Sequence, residues 1–267
     1  MADTLQQVNR IDQLFSEKKE NVLSVYFTAG FPQLNDTVRI MKSLQEAGAD
    51  LIEVGIPFSD PIADGPTIQA SNEVALGNGI NLQTILDQLK GIREHINIPI
   101  ILMGYINPVV QYGVERFCAA CKEIGIDGLI LPDLPMYEYM TVYKEMFEAA
   151  GLYNIFLITP QTSEARIREI DENSNGFIYM VSSASITGAR SEITKSQIAY
   201  FERVREMGLK NPQLIGFGIS NHETFSQACS YASGAIIGSA FIKVLEGAND
   251  LEADITKYIK SVKGPTA

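Results

Sequence analysis

Eight times along this chain a short apolar run of β type is followed by a stretch with helical spacing. The runs start near Ser24 (SVYFTA), Leu51 (LIEV), Ile100 (IILMGY), Gly128 (GLILPD), Tyr153 (YNIFLITP), Phe177 (FIYMVS), Leu214 (LIGFG) and Gly234 (GAIIGS), a mean spacing of about 30 residues. Between them Val38, Met41, Leu44 and Ala47 step at about i+3, and Leu251, Ile255, Tyr258, Ile259 and Val262 form one apolar helical face. Ser220 followed by Glu223 reads as a capping box that opens a helix. Most runs are apolar throughout, as parallel strands covered on both sides are. Strand-then-helix repeated eight times in 267 residues predicts an α/β fold, a single (β/α)8 TIM barrel spanning 1–267. An open doubly wound sheet is the alternative, and the number of repeats favours closure. Met1 to Glu20 predicts an additional N-terminal helix, and Val74 to His95 predicts two helical pieces broken at Gly77-Asn-Gly79.

Charge and composition remove several function classes. The net charge is −11 and no Lys/Arg cluster is present, which argues against a nucleic-acid partner. A phosphate monoester remains admissible, because backbone N–H groups at a helix N-terminus bind anions without a cationic side chain. No apolar run reaches the roughly 18 residues that would span a bilayer. Met1 to Phe15 is polar and lacks a signal-peptide core, so a cytoplasmic location is expected. Three cysteines without such a signal argue against a disulfide framework. Cys118 and Cys121 match C-x-x-C, but they fall inside the helical pattern Val114 to Ile124 and read as small buried residues. Two histidines, His95 and His222, are too few for a multi-histidine metal site.

Chemistry concentrates after the second run, in Leu51-Ile-Glu-Val-Gly-Ile-Pro-Phe-Ser-Asp-Pro-Ile-Ala-Asp-Gly-Pro66. Glu53 sits between Ile52 and Val54, and a carboxylate in a buried strand must be paired, protonated or employed. Asp60 and Asp64 follow in the loop. Two carboxyl groups in different surroundings suit acid–base work; an acid at a strand end that faces water is the plain alternative. In a barrel the site lies at the C-terminal ends of the strands. That rule selects Glu53, Asp64, Tyr105, Asn107, Asp133, Tyr179, the loop Ser182–Ala189, Gly216–Ser220, and Gly238 with Ser239. Loops after the seventh and eighth strands often bind phosphate. Gly218, Gly238 and Ser239 fit that role, with Gly188 closing the cradle, although such glycines also serve tight turns. The loop 182–191 is small and polar, as a lid or an ordinary surface loop would be.

The segment Glu53-Val-Gly-Ile-Pro-Phe-Ser-Asp-Pro-Ile-Ala-Asp-Gly-Pro66 resembles the tryptophan synthase alpha subunit family. So do Tyr179 with Ile186-Thr-Gly-Ala189, Gly216-Phe-Gly-Ile-Ser220 and Gly238-Ser239, and the likeness runs nearly end to end. The resemblance implies retro-aldol cleavage of indole-3-glycerol phosphate to indole and glyceraldehyde 3-phosphate. It implies that Glu53 is the general acid/base, that Asp64 engages the indole N–H, and that Tyr179 fixes the substrate and the Glu. It places Tyr26, Ile68, Tyr105, Ile130, Leu157 and Phe217 around the indole, Gly188, Gly218, Gly238 and Ser239 on the phosphate, and Thr187 on a lid that meets Asp64. It implies no cofactor or metal in this chain, a β subunit carrying pyridoxal phosphate in an α2β2 heterotetramer, and Pro57 and Asp60 at that interface. Ser183 and Ser185 depart from the common arginine and glycine of the lid, and Tyr26 replaces a frequent phenylalanine. A stand-alone lyase releasing free indole, another phosphate-binding barrel, and an inactive regulatory subunit are the competing readings.

Overall fold

The computed structural model describes residues 8–61, 64–182, 194–216 and 218–264. Its strands are β1 (Val22–Thr28), β2 (Leu51–Gly55), β3 (Ile100–Met103), β4 (Gly128–Ile130), β5 (Tyr153–Ile155), β6 (Leu157–Ile158), β7 (Ile178–Val181), β8 (Gln213–Gly216) and β9 (Gly234–Ile237). All pairings are parallel, in the order β5-β4-β3-β2-β1-β9-β8-β7-β6. The two ends of that order are consecutive in the chain and separated by Phe156 alone. They are two halves of the fifth predicted run, so the sheet closes on itself as an α/β barrel. The split at Phe156, whose ring packs outward against Tyr139 at 5.2 Å, is the one strand break that the apolar pattern does not announce.

The period-two alternation of each strand divides the core in two. Val22, Leu51, Ile101, Ile130, Ile155, Phe177, Tyr179, Leu214 and Ile236 point into the barrel. Leu23, Val25, Phe27, Ile52, Val54, Leu102, Leu129, Ile178, Ile215 and Ile237 point outward, under the helices. The covering faces are those the spacing predicts: Met41 and Leu44 on Thr37–Ala47, and Ile255, Ile259 and Val262 on Leu251–Lys263, are fully buried. The two pieces broken near Gly77-Asn-Gly79 are Pro66–Gly77 and Leu82–Leu89. Cys118 and Cys121 are buried on Val114–Ile124, and burial pushes both thiols up, Cys118 to about 11. The predicted cap after β8 shifts by one residue. Asn221, not Ser220, is the N-cap, and its partner is Thr224 rather than Glu223. Asn accepts from the third helical N–H as well as Ser does, and Thr224 Oγ1 in turn accepts from Ser220 N at 3.0 Å.

One end of the barrel is closed. The additional helix is shorter than predicted, Arg10–Glu17, and seats Ile11 among the inward-facing residues at that end. Asn9 and Arg10 fasten it to Asp127, through Asn9 Nδ2 to the Asp127 carbonyl at 2.9 Å and Arg10 to its carboxylate at 3.1 Å. Asp127 also accepts from Arg93 and from Ile100 N at 2.8 Å. Asp50 and Asp171 repeat the device on Leu23 N and Lys210 N, each at 2.8 Å. Each aspartate ties a strand or turn N–H that would otherwise end unpaired. Chemistry therefore belongs to the opposite end, where the strands finish.

Candidate active site

β1 and β2 build the centre of that end. Their register sets Ser24 opposite Leu51, Tyr26 opposite Glu53 and Thr28 opposite Gly55. Side chains inside a barrel meet along the diagonal, because the strands are tilted and staggered. Ser24 accordingly reaches Glu53, two residues beyond its register partner, and Tyr26 lies over Gly55. A Cβ on Gly55 would stand 2.6 Å from Tyr26 Cζ. β7 and β8 repeat the step: Tyr179 is opposite Leu214 and lies over Gly216.

Glu53 is 0% exposed. Its Oε1 accepts from Ser24 Oγ at 2.6 Å, and its Oε2 has no hydrogen-bond partner among the described residues. Burial pushes the carboxyl up to about 7, with the Ser24 hydroxyl pulling the other way. Asp64 lies two residues before the helix Pro66–Gly77. Burial pushes it up to about 6, opposed by hydrogen bonds from Asn72 and Tyr105. Two donors hold Asp64 in its ionised form where one holds Glu53, so Asp64 is the more anionic of the pair. No ion pair reaches either carboxylate among the described residues. Tyr26 and Tyr179 are driven far above the ordinary phenol range, first by burial and then by the neighbouring carboxylates, so both stay neutral donors or acceptors.

The other predicted positions among the described residues lie on neighbouring strands, loops and helix starts. Tyr105 immediately precedes the helix Ile106–Tyr112 and packs on Phe58 at 5.1 Å. Ile130 ends β4, and Leu157 on β6 stands opposite Tyr179. Ile68, in the first turn after Asp64, comes within 3.8 Å of where a Cβ on Gly238 would be; Tyr26 comes within 3.6 Å. Gly238 precedes the helix Ser239–Glu246, whose N-terminus carries no side-chain cap. Its first N–H groups are therefore available to an anion from the same side as Tyr26 and Ile68. Gly218 has φ +83°, a conformation that suits glycine. Pro57 is buried, and Asp60 is exposed beside a hollow of about 300 Å3 lined by Phe58, Ser59, Pro61, Gln69 and Glu73. Asp133, one of the wider set, accepts from Ile106 N at 3.0 Å and caps that helix. Thr187, Gly188 and Phe217, with Ser183, Ser185 and all of the loop 182–191 but Ser182, lie outside the described residues.

Three contributors escape sequence inspection, Ser24, Gly55 and Asn72, and the sequence selects Gly216 only as the start of the segment Gly216–Ser220. Two had a usable signal. Alternation along β1 puts Ser24 on the face of Tyr26, and Asn72 follows Ile68 at i+4 on one helix. Gly55 and Gly216 look like ordinary strand ends until the diagonal is known. His222 is structural: Nδ1 lies 2.9 Å from the Val262 carbonyl. No group of three metal-ligating side chains exists among the described residues, and no helix among them is long and apolar enough to cross a membrane.

The family described as tryptophan synthase alpha chain matches residues 13–265. The chain is 63% identical to the tryptophan synthase alpha chain of Flavobacterium johnsoniae over 238 residues, 89% of this chain and 94% of that one. Its fold is similar to that of the tryptophan synthase A-subunit of Pyrococcus furiosus, with TM-score 0.85 and 36% identity over 93% of this chain and all of the other. It is also similar to a chain of the tryptophan synthase complex from Pyrococcus furiosus, with TM-score 0.84 and 35% identity over 93% of this chain and all of the other.

Proposed function

The chain belongs to the tryptophan synthase alpha chain family, a carbon–carbon lyase, and on that premise we propose that Glu53 and Asp64 divide the work of cleaving indole-3-glycerol phosphate. The bond to be broken joins indole C3 to the glycerol carbon that bears a hydroxyl. Protonation of C3 by Glu53 turns the ring into a cationic indolenine. Glu53, now a carboxylate, takes the hydroxyl proton as the C–C electron pair returns to the ring. One proton enters, one leaves, and the products are indole and glyceraldehyde 3-phosphate. Asp64, held as an anion by Asn72 and Tyr105, faces the indole N–H and offsets the developing positive charge.

The observation that carries this reading is the Glu53 carboxyl. It is fully buried, pushed up to about 7, and has one oxygen without a partner among the described residues. A group that is half protonated near neutral pH serves as acid and base in one cycle. Tyr179 orients the Glu and the substrate. Tyr26, Ile68, Tyr105, Ile130, Leu157 and Phe217 line the indole, while Gly188, Gly218, Gly238 and Ser239 take the phosphate. Thr187 meets Asp64 when the lid closes.

In this reading the chain uses no cofactor of its own. Indole passes to a β subunit that carries pyridoxal phosphate in an α2β2 heterotetramer; the similarity to a chain of a tryptophan synthase complex from Pyrococcus furiosus supports a partner subunit. Pro57 and Asp60, at the open end of the barrel, belong to that interface. The test is indole release from indole-3-glycerol phosphate by the isolated chain and by Glu53→Gln, each with and without a β subunit. The substitution is expected to lower turnover by roughly 10²–10⁴-fold with KM little changed. A mutant that keeps a tenth of the wild-type rate refutes the assignment.

A further inference from the structure

Ser24 is fully buried on the inner face of β1, and its hydroxyl makes the hydrogen bond to Glu53 that the structure records, at 2.6 Å. The other carboxyl oxygen, Oε2, is without a partner among the described residues. The two oxygens of Glu53 are therefore unequal. A carboxylic acid carries one proton, and the oxygen that accepts a hydrogen bond is the better carbonyl oxygen. The proton is left to the other. Around this pair stand Tyr26, opposite Glu53 in the register, with Tyr179 and Asp64; Tyr105 faces Asp64. None of these is a cation, and among the described residues no ion pair competes with the serine for Glu53.

We infer that Ser24 is a positioning residue for the cleavage reaction: by holding Oε1, it commits the Glu53 proton to Oε2. The same oxygen then gives its proton to indole C3 and receives the proton of the glycerol hydroxyl, without rotation of the carboxyl group between the two transfers. The Ser24 bond persists through both, because Oε1 accepts from it in the acid as in the carboxylate. The bond also opposes burial by favouring the ionised form, so it keeps the group able to return to a base. This inference rests on the assignment of Glu53 as the acid and base.

The experiment compares Ser24→Ala, Ser24→Thr and Ser24→Val in the full chain. Threonine and valine match in shape and differ by the hydroxyl, so that pair remains informative even if alanine impairs folding. Turnover, KM and its pH profile are measured for each. The Glu53 carboxyl is titrated by 13C NMR in glutamate-labelled protein, with Glu53→Gln identifying its signal. Ser24→Ala and Ser24→Val are expected to lower kcat by about 10-fold, with KM within about twofold, as for loss of a hydrogen bond to a charged group. Both should move the Glu53 titration to higher pH by roughly one pH unit. Ser24→Thr should restore both readouts. A Glu53 titration that is the same in threonine and valine variants overturns the inference, as does equal turnover in the two. If Glu53→Gln keeps wild-type turnover, the acid–base assignment fails instead, and the titration still reports on the serine.

Discussion

The ring of Tyr179 lies across Gly216, so closely that a Cβ on the glycine would stand 2.6 Å from Tyr179 Cζ. A tyrosine ring is rigid and this one is buried, so Gly216→Ala must push it off its seat. The substitution is expected to destabilise the fold by about 1–3 kcal/mol, the usual overpacking cost. Turnover should drop on the order of 10²-fold, the scale of a misplacement of about 1 Å. Urea unfolding and steady-state kinetics on one preparation check both. Gly55→Ala should do the same through Tyr26.

Glu53 makes stability depend on pH through its ionisation. Its carboxyl is raised from 4.5 to about 7 in the folded chain. The folded state therefore binds its proton more tightly than the unfolded one does. Below pH 4.5 the group is neutral in both states and costs nothing. Stability is lost as pH rises from there through about 7, by up to roughly 3 kcal/mol. Glu53→Gln removes that loss. The mutant should be more stable than wild type at pH 8 and no more stable at pH 4. Unfolding midpoints that differ equally at the two pH values would count against the buried, raised carboxyl.

Tyr105→Phe removes one of the two donors that keep Asp64 ionised. The Asp64 carboxyl, already raised to about 6, should move higher still. On the role proposed for Asp64, turnover should then fall more at pH 6 than at pH 8, because the anion opposite the indole N–H is lost first on the acidic side. A uniform loss at every pH would mean that Tyr105 acts by packing alone.

At the closed end, Asp127 gathers Arg10, Arg93 and the Ile100 N–H. Asp127→Ala leaves a partly buried guanidinium without its partner and should cost roughly 3 kcal/mol of stability. Turnover by the folded fraction should stay close to wild type, since the cluster lies at the opposite end from Glu53. Urea unfolding and kinetics below the transition separate the two effects.

Asp60 is exposed in the loop after β2 and makes a 2.6 Å hydrogen bond with Ser59 beside the surface hollow. Asp60→Ala should leave the basal reaction nearly intact and weaken activation by a β subunit. Coupling of about 1–3 kcal/mol corresponds to activation of roughly 5–150-fold. Titration of the partner against both chains is the measurement, and coincident activation curves would remove Asp60 from the interface.

The strands, their order of use and both carboxylates were legible in the sequence because each leaves a local mark. An apolar run, a glycine or proline break, and an acid between two aliphatic residues are visible within a few positions. The link between Ser24 and Glu53 leaves no such mark. It depends on a stagger between β1 and β2 that places each inward side chain two residues past its register partner. The same stagger explains Gly55 and Gly216, which matter only because a tyrosine of the neighbouring strand passes over them. Asn72 is intermediate: its helical face was readable, but its partner Asp64 sits in a loop whose path no periodicity dictates. The moved cap at Asn221 was a contest between two good capping residues, decided by where the chain leaves β8.

Ile11 in the floor of the barrel has a consequence for traffic. On the role proposed for Glu53, a molecule of indole released beside it meets packed side chains on one side and the strand ends on the other. It leaves by the doorway through which the substrate came. Whatever protein sits over that doorway receives the indole before the surrounding water does, and when nothing sits there the indole is lost. Escape of indole into solution is therefore a direct gauge of how completely the doorway is covered.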